Sequence, residues 1–245
     1  MPSSLRNILT VFRRELTQYL TSPIAYLIAF AVLLMGGFLF NNDLAMRNGT
    51  DITSSAVILS YYAQFTMFFA PLLTMRLFAE ENREGTIELL MTLPVRDSTL
   101  VIGKFLGAWA YYSLLLVMTF VYQAALIWLS PPDLGIAFSN YLGLWLMGGA
   151  AIGIGMVFSA LNENQIVSAF LSLATLLLLW SADQVGLVIS NRELATLVRS
   201  FSFQTNYVYS FSVGIVRLDS VVFFVGVMTV ALFITTQIIE SRRWR

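Results

Sequence analysis

Six long apolar runs restrict this 245-residue chain more than any other feature. They cover approximately residues 23–40, 56–78, 100–129, 136–161, 166–189 and 221–239, and each approaches or exceeds the roughly 20 helical residues that cross a hydrocarbon core. A spanning barrel needs short segments alternating apolar and polar residues, whereas these runs are continuous and rich in Leu, Ala, Met and Phe, so helices are the form they fit. Composition points the same way: 58% hydrophobic residues, 11% charged residues and a mean hydropathy of +0.76 leave too little polar surface to clothe a soluble globule. The expectation is an all-α membrane protein with six transmembrane helices.

Several chemistries lose their usual residues. Cysteine and histidine are both absent, which excludes disulfides, thiolate or imidazole metal ligands and nucleophiles that need a histidine base. No metal site is expected. Lys104 is the only lysine and follows Gly103, but Ser98 stands where a phosphate-binding loop needs its earlier glycine, so no nucleotide site is expected in this chain. The 14 basic and 14 acidic residues cancel and give no sign of a nucleic-acid partner.

Orientation follows from where the basic residues fall. With the N-terminus inside, Arg6, Arg13, Arg14, Arg76, Arg83, Arg96, Lys104, Arg242, Arg243 and Arg245 lie on the cytoplasmic side, against Arg47, Arg192, Arg199 and Arg217 outside. Ten against four favours N-in and C-in. Ahead of the first run, Leu5, Ile8, Leu9, Phe12, Leu16, Tyr19 and Leu20 recur at helical spacing, which reads as an interfacial helix over residues 1–22 or as a cytoplasmic extension of the first span. Arg13-Arg14 is followed by Glu15 and by no small-residue cleavage site, so no cleaved signal is expected.

An acidic insert, residues 79–97, separates the second and third runs and falls in the cytoplasm on this topology. Arg76 to Glu84 is expected to continue the second helix with alternating charge. Gly85-Thr86 supplies a break and a capping hydroxyl, and Ile87 to Leu93 forms a short amphipathic helix ended by Pro94. Ile87, Leu90 and Met91 share one face of that helix and Leu89 with Leu93 another, which suits a partner's groove or the membrane surface. A solvated loop with ordinary helix-ending signals is the plainer alternative.

The pattern Glu81-x-x-Glu84-Gly85-Thr86-x-Glu88-Leu89-Leu90-x-x-x-Pro94, followed by Gly103-Lys104, closely resembles the cytoplasmic signature of type-2 ABC exporter membrane subunits. Arg14-Glu15-Leu16 with Tyr19, Ser22-Pro23-Ile24-Ala25-Tyr26 and Gly36-Gly37-Phe38 resemble the branch that holds the gliding-motility permease GldF and the nitrous-oxide-pathway permease NosY. Phe211-Ser212-Val213-Gly214-Ile215-Val216 with Asp219 and Phe223-Phe224 is similar to the family's external segment before the last span, although Arg217 and Leu218 fit only loosely.

The resemblance implies a six-span permease in a bacterial cytoplasmic (inner) membrane. It pairs with a second copy or a homologous permease, is driven by a dimer of a separate cytoplasmic ATPase that binds ATP and Mg, and can have an accessory envelope protein as a further partner. Residues 1–22 become an elbow helix, 23–245 the transmembrane domain, and the insert a coupling helix. Glu80, Glu81, Arg83, Glu84, Gly85, Thr86, Ile87, Glu88, Leu89, Leu90, Met91 and Pro94 are then the residues expected to couple to the ATPase. Their role is mechanical, and the chain itself is not an enzyme.

Within the membrane, Gly103-x-x-x-Gly107 and Gly149-x-x-x-Gly153 allow close helix approach, either within one chain or at a dimer seam. The external segment, residues 190–220, carries Phe201, Phe203, Tyr207 and Phe211, which suit either an external gate or anchoring at the membrane boundary. Asp183, towards the outer end of the fifth span where it can reach the interface, is expected to have a structural or interfacial role. The leading function is an exporter membrane subunit that couples ATP hydrolysis by the separate ATPase to movement of substrate or to mechanical work across the membrane. A secondary transporter or channel is the alternative, with no deep carboxylate network to support it. Nothing in the residues identifies a substrate.

Overall fold

The computed structural model describes residues 2–46, 55–86, 96–129 and 133–242, and all regular structure among them is helical. In chain order the helices are α1 (Pro2–Thr21), α2 (Pro23–Met46), α3 (Ser55–Thr74), α4 (Ala79–Glu84), α5 (Asp97–Met118), α6 (Phe120–Leu129), α7 (Leu134–Leu161), α8 (Gln165–Val188), α9 (Arg192–Ser200), α10 (Phe203–Val208) and α11 (Leu218–Arg242), with a 3-10 turn at Phe211–Val213. Local sequence explains many of the boundaries. Pro2 and Pro23 open α1 and α2 at the position where a missing N–H does no harm. Asp133, Asn164, Asn191 and Ser202 cap α7, α8, α9 and α10, each accepting from backbone N–H groups of the first turn.

Among the described residues, five segments are long and apolar enough to cross a membrane: α2, the α5–α6 pair, α7, α8 and α11. The remaining expected run forms α3, twenty residues with Pro71 inside. The centre of the bundle is α7, which packs against α3, α5, α8 and α11. Of its most apolar stretch 78% is buried, against 22% for α2 and α8 and 28% for α11. Small residues make this density possible: a Cβ on Gly149 would meet Met228 at 2.8 Å, and one on Gly153 would meet Ala231 at 3.1 Å, so α11 lies directly on the backbone of α7.

One boundary differs from expectation. Arg76 to Glu84 does not continue α3, which ends at Thr74, and a turn precedes α4. Leu77 N bonds back to Thr74 O at 3.0 Å, and the N–H groups of Phe78 and Ala79 are left without helical acceptors. Ser159 of α7 takes both, its Oγ accepting from Phe78 N at 3.0 Å and Ala79 N at 3.2 Å while donating to Met75 O at 3.2 Å. A buried serine on the central helix therefore satisfies the broken turn.

Candidate functional site at the junction of α1, α4 and α5

The acidic insert begins on a charge cluster that its own residues only half reveal. Lys104, near the start of α5, sends its ammonium to three acceptors on separate segments: Glu15 Oε1 of α1 at 2.8 Å, Glu81 Oε1 of α4 at 2.9 Å, and Leu77 O in the turn after α3 at 2.7 Å. An ammonium has three hydrogens, so its donors match its acceptors. The Phe78 ring lies 5.2 Å from the same nitrogen. Side-chain exposure is 3% for Lys104, 5% for Glu15 and 14% for Glu81. At such depth, removing one partner of an ion pair typically costs about 3–5 kcal/mol, because the other charge is stranded.

Two carboxylates around one ammonium leave the cluster with an excess negative charge. Burial pushes the Glu81 carboxyl above its ordinary value, and the neighbouring Glu15 adds to the rise; Lys104, by charge and hydrogen bond, and Arg14 by charge oppose it. Only one Glu81 oxygen is bonded, and Oε2 is buried without a hydrogen-bond partner. Burial thus favours the neutral form of Glu81.

Backbone chemistry brings α1 close enough for this contact. A Cβ on Gly103 would meet Val11 Cβ at 2.7 Å and Ile8 O at 3.2 Å, and one on Gly107 would meet Glu15 Cβ at 2.6 Å. The α5 glycine pair therefore receives α1 from the same chain, as Gly149 and Gly153 receive α11. Further along α1, Tyr19 stacks on Tyr111 with ring centroids 5.1 Å apart and donates to Leu73 O at 2.6 Å. Burial raises its phenol well above the ordinary range, so it stays a neutral donor. The side of α1 facing the protein carries Val11, Glu15 and Tyr19, while Leu5, Leu9 and Leu20 point outward.

The coupling candidates divide by exposure. Glu80 and Glu81 are half-buried, whereas Arg83, Glu84, Gly85 and Thr86 are exposed. Gly85 ends α4 in the left-handed region, φ +68°, its N–H bonded to Asn82 O. Thr86 Oγ1 donates back to Glu81 O at 3.4 Å. Asn82 ties α4 to the end of α7 through Ala160 O and Asn162 O at 3.3 and 3.2 Å. Ile87, Glu88, Leu89, Leu90, Met91 and Pro94 lie outside the described residues. A cleft of about 650 Å³ opens beside α4, with Arg14, Arg76, Glu80 and Glu84 on its walls. Arg76 is held there by donation to Ser22 Oγ at 2.7 Å.

At the opposite end, Phe203, Tyr207 and Phe211 are wholly buried and Phe201 is 58% exposed. Tyr207 donates to Asn140 Oδ1 at 2.9 Å, Phe203 and Phe211 pack on Phe224, and α10 with the 3-10 turn fills space against α3, α7 and α8. Asp183, near the end of α8, has a structural role. It is buried, bonded to Arg199 Nε at 2.8 Å and Thr205 Oγ1 at 2.9 Å, because α9 folds back on α8 and a buried carboxylate requires partners.

Sequence reasoning placed Glu81 in the site but missed Glu15 and the role of Lys104. A lone lysine at the mouth of an apolar run was the available signal, since such a charge calls for a buried counter-ion. No curated protein matches the chain. A family model described as ABC-2 family transporter protein matches residues 41–218, more than half of the chain. With its membrane-length helices and this match, the chain is an integral membrane protein that belongs to the ABC-2 transporter family.

Proposed function

We propose that this chain is the permease subunit of an ABC exporter of the GldF/NosY-like branch, worked by a dimer of a separate cytoplasmic ATPase that binds ATP and Mg. On this reading α3 is the second of six spans, both termini are cytoplasmic, α1 within residues 1–22 is the elbow helix, and residues 23–245 form the transmembrane domain. Residues 79–97 form the coupling segment, from Glu80 and Glu81 through Pro94. Residues 190–220 form the external segment. The permease pairs with a second copy or a homologue in the inner membrane. Ten basic residues on the inner side against four outside support the orientation.

The observation that carries the reading is the Lys104 junction. A push on the coupling segment has a directed effect only if its root is rigid, and α4 is joined through Glu81 to α5 and α1 and through Asn82 to α7. Exposed Glu84 and Arg83 are left to meet the ATPase. Rim ion pairs contribute only about 0–1 kcal/mol each, so the apolar residues Ile87, Leu89, Leu90 and Met91 supply most of the docking.

The test is co-purification with the ATPase followed by measurement of ATPase stimulation. Replacing Glu84 and Glu88 by Lys lowers the stimulation; unchanged stimulation removes the docking role. Transport by the permease alone, driven by an ion gradient without the ATPase, overturns the reading in favour of a secondary transporter.

A further inference from the structure

Two cavities at the α9–α10 end of the bundle are adjacent, one with a mixed lining and one apolar. One, of about 370 Å³, sits over the start of α11 among polar residues that include Thr205, Asn206, Arg217 and Asp219. The other, of about 500 Å³, is a groove between α7 and α11 lined by apolar residues throughout, from Val222 to Ile234 with Ile154 and Phe158 opposite. Phe201 and Phe223 line both, so the mixed chamber gives directly onto the apolar groove.

The dimensions fit one leaflet. From Val222 to Ile234 the groove follows α11 over a length of about 18 Å at helical rise, against about 15 Å for half of a roughly 30 Å hydrocarbon core. Its depth depends on Gly226, since a Cβ there would meet no atom within 4 Å.

The chamber's remaining chemistry selects the head of the ligand. Thr205 Oγ1 is used on Asp183, Ser210 Oγ donates to Ile215 O at 3.0 Å and accepts from Arg217 N at 3.3 Å, and Asn206 Nδ2 donates to Ser200 O and Ser202 O, both at 2.9 Å. Besides Tyr209 and Ser220, the walls carry the exposed Arg217–Asp219 pair, closed by Nη2 to Oδ2 at 2.7 Å and Nε to Oδ1 at 3.2 Å, which leaves guanidinium N–H groups and carboxylate lone pairs beyond those two bonds. A cation and an anion side by side complement a head group that carries both charges. A head of single charge is repelled by one half of the pair.

We propose that chamber and groove together bind a zwitterionic glycerophospholipid, its phosphate on Arg217, its ammonium on Asp219, and one acyl chain laid along α11 towards Ile234. The site requires only that α7 and α11 lie in the bilayer, and stands apart from the coupling reading.

The experiment is native mass spectrometry of the purified protein in detergent with three probes of identical dioleoyl chains: phosphatidylethanolamine, phosphatidylglycerol and diacylglycerol. The wild-type protein retains phosphatidylethanolamine about tenfold more strongly than either of the others. Gly226→Leu enters open space and raises helix propensity, so it folds, and it lowers that retention about tenfold. Arg217→Ala with Asp219→Ala, both on the surface, reduces phosphatidylethanolamine to the level of diacylglycerol and leaves diacylglycerol unchanged. Equal retention of all three lipids by the wild-type protein, or retention unmoved by Gly226→Leu, overturns the proposal and leaves ordinary boundary lipid. A change of oligomeric state in Gly226→Leu without a change in lipid also overturns it, assigning the groove to a second copy of the chain.

Discussion

Lys104 holds its place because two acidic side chains and a carbonyl from other segments meet it, and the three positions around it are not equivalent. Lys104→Met strands two buried carboxylates, and a loss of about 3–5 kcal/mol is expected, visible as a large drop in thermal melting temperature in detergent. Glu81→Gln leaves a neutral Lys104–Glu15 pair and keeps an amide oxygen for the ammonium, so it is expected to change stability by no more than about 1 kcal/mol. The pH dependence of stability follows from Glu81. Because burial lifts the Glu81 carboxyl above its ordinary 4.5, the folded protein keeps a proton that the unfolded chain has already released. Stability therefore falls as pH rises from about 4.5 through the raised value. Melting curves of Glu81→Gln across that window are expected to be flatter than those of the wild-type protein. Sequence alone could not assemble this cluster: Glu15 and Lys104 are separated by 89 positions, and α1 reads first as an amphipathic helix whose polar residues belong on the wet side.

At the level of elements, the apolar runs predict where the helices lie, because length and hydropathy act locally and need no knowledge of neighbours. Interruptions were harder to read. The end of α3 depends on Ser159, a residue of α7, taking two N–H groups, and no local signal near Thr74 announces it. Ser159→Ala is expected to cost about 1–3 kcal/mol by leaving those groups unsatisfied, whereas a surface change such as Thr196→Ala falls within about 0.5 kcal/mol. The docking of α1 has its own test. Gly107→Leu places a side chain where Glu15 Cβ stands 2.6 Å from the first added atom; α1 is expected to lift from α5, and limited proteolysis then cuts within residues 2–21 much faster than in the wild-type protein. Gly85→Ala, by contrast, meets no atom but forces alanine to a φ of +68°, a penalty of about 1 kcal/mol.

For the molecule as a whole, the lack of native cysteine makes orientation directly measurable. A single cysteine at Glu84 is expected to react with a membrane-impermeant maleimide only in inverted vesicles, and one at Glu193 only in intact cells; the reverse pattern would invert the topology proposed above. The order of the chain also bears on how the protein is made. Glu15 and Glu81 are both synthesised before Lys104, so when α5 enters the bilayer its one lysine finds its counter-charges already waiting. The hardest residue to insert therefore arrives last among its partners. Moving α1 to the C-terminus by circular permutation would preserve every final contact of the cluster while removing Glu15 at the moment of insertion, and a lower yield of inserted protein from such a permutant would reveal biogenesis as a pressure on the order of these helices.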